Sequence, residues 1–164
     1  MVTGVTLSLA AIWAALEDVM DPEIPVISVV DLGLIRRVEV EDGRVLVSMT
    51  PTFLGCPAFD VMRTDVETRL LALGAPVVDV QLALAPPWSS DWITERGRAQ
   101  LKAFGVAPPI RHNGLIQIIF SEPAACPHCG SNRTEQRNAF GATLCRALYY
   151  CFECRQPFEQ FKAL

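Results

Sequence analysis

Six cysteines carry most of the chemistry open to this 164-residue chain, and five of them crowd into its last 39 residues. Cys126-Pro127-His128-Cys129 and Cys151-Phe152-Glu153-Cys154 are two C-x-x-C pairs with 21 residues between them. Two residues between thiols let both sulfurs face one ion, and four thiolates complete the tetrahedral shell of Zn²⁺ and close it to water. The gap slightly exceeds the ~15–20 residues usual for such sites. It still holds two strands, expected over Thr134–Phe140 and Leu144–Tyr150 on either side of Gly141. Cys126, Cys129, Cys151 and Cys154 are therefore the expected metal ligands. The role of the ion is structural, because ~40 residues bury too little core to fold without its binding energy. Zinc is favoured over iron, although a rubredoxin-like iron centre suits the same knuckles. Cys145 is read first as a buried apolar residue in a strand. The other reading makes it an additional thiol beside the knuckles. His128 sits between two ligands and is expected to project outward.

Cys56 stands apart from the others. Gly55-Cys56-Pro57 is expected to open a helix, where unpaired N–H groups and the positive end of the dipole favour a thiolate. Thr50 and Thr52 can donate hydrogen bonds to that sulfur or to a bound group. Asp21, Glu23 and Asp31 can add oxygen ligands or carry protons. A thiolate beside carboxylates suits transient binding of iron or an iron–sulfur unit. The blander readings are that Asp31 caps a turn, that Asp21 is an ordinary pre-proline loop residue, and that Cys56 is buried and inert. A Cys–His nucleophile is not expected, because His112 and His128 are the only histidines and neither has an evident positioning partner. No Walker loop, G-x-G-x-x-G or G-x-S-x-G motif is present.

The elements that must position these groups read as α-β-β-α-β-α followed by the cysteine-rich tail. Leu7 to Met20 has helical apolar spacing and is expected to stop before Pro22. Ile35–Val40 and Arg44–Met49 flank Glu41-Asp42-Gly43, a hairpin signal. A helix with Pro57 at its first position is expected, buried along Phe59, Val61, Met62, Val66, Leu70 and Leu71 and ending near Gly74. Val77–Leu84 alternates as a strand, and Asp91–Phe104 is expected to be a helix with Asp91 at its N-cap. The fold class is α+β: a small sheet with helices on one face, then a zinc-ribbon-like β unit. The expected domains are 1–106, a connection over 107–123, and 124–164. Both loops that carry the Cys56 constellation fall at one end of the sheet in this order.

Hydrophobic residues make up 51% of the chain and its mean hydropathy is +0.28, enough apolar content for a core. The net charge of -4 and pI near 5.2 argue against a nucleic-acid partner. No apolar run approaches the ~20 residues of a membrane span. Met1-Val2-Thr3-Gly4 lacks the basic start of a secretory signal. A cytoplasmic setting with reduced thiols is expected.

Asp21-Pro22-Glu23-Ile24-Pro25, Asp31-Leu32-Gly33-Leu34-Ile35, Thr50-Pro51-Thr52 and Gly55-Cys56-Pro57 resemble the SufT-like iron–sulfur assembly domain, approximately over residues 7–105. Three further segments extend the likeness: Trp88-Ser89-Ser90-Asp91-Trp92-Ile93-Thr94, Gly105-Val106-Ala107-Pro108-Pro109, and the tail ending Pro157-Phe158-Glu159-Gln160-Phe161. With them, nearly the whole chain resembles the PaaD family, accessory proteins of the multicomponent phenylacetyl-CoA monooxygenase, a ring 1,2-epoxidase.

The resemblance implies a maturation role with no catalytic activity of its own, loading or repairing a metal centre of that complex. By position it implies Cys56 as the working thiol, surrounded by Asp21, Glu23, Asp31, Thr50 and Thr52, with Cys126, Cys129, Cys151 and Cys154 as tail ligands. Cys145 falls where PaaD-like chains also tend to carry Cys. The implied cofactors are a structural zinc ion in the tail, with iron as the alternative, and transient iron or a cluster at Cys56. The implied partners are the reductase or the di-iron subunit of the monooxygenase, and the iron–sulfur assembly machinery, with no nucleic acid and no membrane. One thiolate cannot fill a cluster's four-ligand shell, so a homodimer is one expected way to complete it. The alternative function is a stable electron-transfer or structural subunit of the same complex. Exposed apolar residues near Trp88, Trp92, Phe158 and Phe161 could serve docking, although an aromatic is more often core.

Overall fold

The computed structural model describes residues 7–111 and 123–163. The chain divides into two compact units, Met1–Trp88 and Ser89–Leu164. The N-terminal Met1-Val2-Thr3-Gly4, His112 and most of the expected 107–123 connection lie outside the described residues.

In the first unit, Ser8 caps helix α1 (Leu9–Leu16) by accepting the Ala11 N–H at 3.2 Å. Ile12 and Leu16 on this helix are fully buried. The helix ends four residues before the expected Met20. The chain there turns away to form a Met20–Ser28 bridge and an Asp21 N–H bond to the Ile27 carbonyl at 2.9 Å. Strands β1 (Ile35–Glu41) and β2 (Arg44–Met49) form the expected hairpin. Its turn residues Asp42 and Gly43 have φ of 49° and 81°, the paired left-handed geometry that matches strand twist. Helix α2 (Ala58–Ala72) then crosses over to β3 (Val77–Leu82), which lies parallel to β2, giving the order β1-β2-β3. Met62, Val66 and Leu70, one turn apart on α2, are buried. Val61 and Leu71, expected to join that stripe, are 48% and 50% exposed because they lie on the neighbouring face of the helix.

In the second unit the expected Asp91–Phe104 helix is two pieces. A 3₁₀ turn over Ser90–Trp92 precedes α3 (Glu95–Phe104), whose N-cap is Thr94 rather than Asp91. The Thr94 hydroxyl accepts the Gly97 N–H at 3.0 Å, and Ile93 and Thr94 are too extended to continue a helix. Four strands follow: β4 (Val106–Ala107), β5 (Thr134–Asn138), β6 (Arg146–Cys151) and β7 (Pro157–Phe161). They form one sheet in the order β4-β7-β6-β5. Because β4 pairs in parallel with β7, α3 and β4 pack with the tail. The division therefore falls at Trp88/Ser89, earlier than the expected boundary at 106.

Tyr149 stacks on Phe158 with ring centroids 5.6 Å apart. Trp88, Phe158 and Phe161 are 5%, 4% and 1% exposed, so they follow the core reading. No helix among the described residues is long and apolar enough to cross a membrane.

Candidate metal centre and thiol site

Two tight turns build the tail centre. At the first, the Gly130 N–H reaches the Cys126 carbonyl at 2.8 Å and the Cys126 N–H reaches the Ser131 carbonyl at 2.9 Å. At the second, the Cys151 N–H reaches the Gln156 carbonyl at 3.0 Å, and the Phe152 N–H bonds the Arg133 carbonyl at 2.9 Å. These turns bring all four sulfurs within 4.8 Å of one another. Cys126 Sγ lies 3.7 Å from Cys154 Sγ, and Cys129 Sγ lies 3.6 Å from Cys151 Sγ. Four sulfurs at ~2.3 Å from one ion stand ~3.8 Å apart along each tetrahedral edge, so this donor set fits a closed tetrathiolate centre.

The N–H groups of Cys154 and Glu153 pull the Cys151 thiol down to about 7, which eases release of its proton to water when a cation binds the sulfur. Burial, reinforced by the Cys151 sulfur, pushes Cys154 up to about 12. Among the described residues no other group brings three such ligand atoms together. Cys145 lies outside the cluster. It is buried, and its sulfur is 3.1 Å from the Thr143 hydroxyl. His128 is exposed, as expected.

Around Cys56 the two expected loops do meet at one end of the sheet. The Thr50 N–H bonds the Leu34 carbonyl at 2.9 Å, joining the loop after β2 to the loop before β1. The Glu23 and Asp21 carboxylates are close enough to act electrostatically on the half-buried Cys56 thiol.

Asp21 also holds its own loop: one carboxylate oxygen accepts the N–H groups of Glu23 and Ile24, each at 2.8 Å. Asp31 is 2% exposed, and its N–H and carboxylate both bond the Ser28 hydroxyl, at 3.0 Å and 3.2 Å. Ser28, which fixes Asp31 in its loop, is a partner that the sequence reading misses, although the Ser-x-x-Asp spacing of Ser28 and Asp31 is a capping signal. The charges shown to act on Cys56 are those of Glu23 and Asp21, not Asp31. Trp88 adds a tie, its indole N–H donating to the Leu32 carbonyl at 2.9 Å. Thr50 is buried and Thr52 half-buried, and among the described residues neither hydroxyl bonds the Cys56 sulfur.

The Cys56 thiol departs from expectation. Desolvation by burial pushes its pKa above the ordinary value, and Glu23 and Asp21 push the same way. The N–H groups of Ala58 and Phe59 at the start of α2 lower it, but by less. Cys56 is thus expected to alkylate more slowly at pH 7.5 than an unhindered model thiol, with a rate that keeps rising with pH above the range where that model thiol levels off. Iodoacetamide labelling followed by peptide mass spectrometry checks this. A rate that plateaus below about pH 8 would show a thiolate stabilised by the helix instead.

Two domain-family matches define the class of protein. Residues 9–82 match the iron–sulfur cluster assembly protein family, and residues 120–162 match the PaaD zinc beta ribbon domain. An Escherichia coli (strain K12) protein, provisionally named as one of the subunits of 1,2-phenylacetyl-CoA epoxidase, is 37% identical over 153 residues, covering 93% of this chain and 92% of its own. The chain belongs to the PaaD family. A Porphyromonas gingivalis (strain ATCC BAA-308 / W83) protein named Fe-S protein maturation auxiliary factor is 42% identical over 88 residues, covering 52% of this chain and 83% of its own. A domain of unknown function from Bacillus anthracis has the same fold over 56% of this chain and 89% of its own, with a TM-score of 0.52 and 28% identity.

Proposed function

We propose that this chain is a maturation factor for a phenylacetyl-CoA epoxidase complex. It handles iron or an iron–sulfur cluster transiently at Cys56 and holds a structural zinc ion in its tail. The observation that carries the reading is the contrast between two thiol environments. Cys126, Cys129, Cys151 and Cys154 form a complete donor set that leaves no position for exchange. Cys56 is one half-buried thiol at the start of a helix, with two carboxylates acting on it and, among the described residues, no second thiol grouped with it.

A cargo metal held by a single thiolate takes its remaining ligands from elsewhere, so it can leave by ligand exchange into a client. Glu23 and Asp21 attract the cation and offer acceptors for the thiol proton. The names of the E. coli and P. gingivalis relatives support the client complex and the maturation role respectively. The reductase or the di-iron subunit is the proposed client, and the cytoplasm, where thiols stay reduced, is the proposed setting.

The test is to co-express the epoxidase complex with wild type or Cys56→Ser and to measure iron in the complex and zinc in the factor. Cys56→Ser is expected to keep its fold and about one zinc per chain while client iron falls by more than half. Unchanged client iron sinks the reading. A red ferric–thiolate spectrum that depends on the four tail cysteines would instead favour a stable electron-transfer subunit.

A further inference from the structure

The end of the first sheet that carries Cys56 also bears exposed apolar side chains. Leu54, two residues before the thiol, is 79% exposed. Leu82 and Leu84, at and just beyond the end of β3, are 54% and 52% exposed, and Met20, beside Asp21, is 41% exposed. Leu82 is in register with Met49, and Thr50 follows directly, so the strand pairing places Leu82 at the same end as the Thr50–Cys56 loop. Exposed apolar side chains at this end of the sheet give a partner apolar area to cover beside the thiol.

The charges that act on Cys56 are of one sign, the carboxylates of Glu23 and Asp21. Residues 1–88 hold twelve Asp and Glu against five Arg and no Lys. Three of those arginines are taken up in ion pairs: Arg37 with Glu39, Arg63 with Asp60 and Arg69 with Asp18. A two-fold contact between copies presents the same patch on both sides. Glu23 would then meet its own counterpart, and like charges repel strongly across a drying interface.

We propose that this face docks a cysteine-bearing segment of another protein, with apolar and cationic side chains beside the thiol, and that its charge keeps a second copy of this chain away. The leucines cover the apolar part of the segment, and its Lys or Arg residues meet the partly exposed Glu23, with the buried Asp21 adding its negative field from beneath. Its cysteine then lies opposite Cys56, where it can supply the next ligand to a shared metal. This rests on the reading of Cys56 as the cargo-handling thiol, and it can fail separately from that reading.

Two activated peptides test it on the zinc-loaded full-length chain. Each contains Leu-Cys-Leu, flanked by lysines in one and by glutamates in the other, with its cysteine joined to 2-thiopyridine as a mixed disulfide. The Cys56 thiolate attacks the peptide sulfur, a new S–S bond joins the two, and 2-thiopyridone leaves with the electron pair and reports the rate. Each rate is divided by that of neutral N-acetylcysteine amide with the same peptide.

The lysine peptide is expected to react about tenfold faster, with the ratio falling towards one at about 1 M salt and in Glu23→Gln. Leu54→Ser slows the lysine peptide severalfold, and Cys56→Ser abolishes its capture. Equal rates, a preference for the glutamate peptide, or no capture at Cys56 overturns the proposal. So does a dimer in light scattering that Leu54→Glu disperses. Charge-blind capture sinks the docking proposal and leaves maturation to the client-iron assay. Unchanged client iron with an intact rate ratio sinks maturation instead.

Discussion

Cys151→Ser is expected to abolish metal binding and unfold the tail sheet, and not merely to lower its stability. Cys126 and Cys151 are both fully buried within the tail core of Ala107, Ala124, Ala147, Tyr149 and Phe158. That core is small. Structural zinc in domains of this kind contributes ~10–16 kcal/mol of apparent binding free energy, as large as the whole net stability of a typical domain. Losing one thiolate opens the coordination shell, and the replacement hydroxyl sits in an apolar environment without the ion that justified a polar group there.

The expected readout is zero zinc per chain by chromogenic chelation and loss of dispersed amide resonances from β5, β6 and β7. The helical signal of the first unit should persist, because its core draws on none of these residues. Cys145→Ala is the control. Its sulfur is outside the cluster, so metal content should stay at wild-type level. Native-like tail resonances in metal-free Cys151→Ser would show that the sheet folds on packing alone.

The second large effect is expected at Arg98, which nothing in the local sequence marks as special. It is 9% exposed and fastens two segments that bound α3: one guanidinium N–H group donates to the Ser90 carbonyl at 2.8 Å, another to the Pro109 carbonyl at 2.6 Å. Arg98→Ala leaves two carbonyls without their charged donor and opens a space, so a loss of about 2–4 kcal/mol is expected in the second unit. Arg98→Lys should recover less than half, because a single ammonium does not reproduce the two-pronged geometry of the guanidinium. Urea unfolding followed by hydrogen exchange at β4 and β7 measures both. A change within ~0.5 kcal/mol for Arg98→Ala would show that the clasp is ornamental. The Nε of Arg98 is buried and has no hydrogen-bond partner among the described residues. Two prongs thus carry the whole contact.

These two cases differ in how far the sequence anticipates them. Cysteine spacing is local information. Two residues between thiols commit each pair to one ion, and the second pair follows whatever the strands between do, so the tetrathiolate centre was legible without a fold. The β1–β2 hairpin was legible for a similar reason, because Asp42 and Gly43 adopt positive φ at little cost and the turn dictates the pairing. The buried stripe of α2 was half legible. Its period was plain, but which face met the sheet was not, and Val61 and Leu71 turned out exposed.

What only the tertiary structure decided depends on distances through space. The direction in which the Cys56 thiol is shifted is one case. Its place at a helix start argues for a thiolate, but burial and the approach of Glu23 and Asp21 from another loop outweigh the helix N–H groups. The boundary between the units is another. Val106 and Ala107 pair with Glu159 and Gln160, more than fifty residues away. A two-residue strand carries no periodic signal, so its pairing partner could not be read along the chain. Arg98 is the third, because a cationic helix residue reads as solvated until the segments on either side close over it. Spacing within a turn is written in the sequence, whereas desolvation and long-range pairing exist only once the chain has folded.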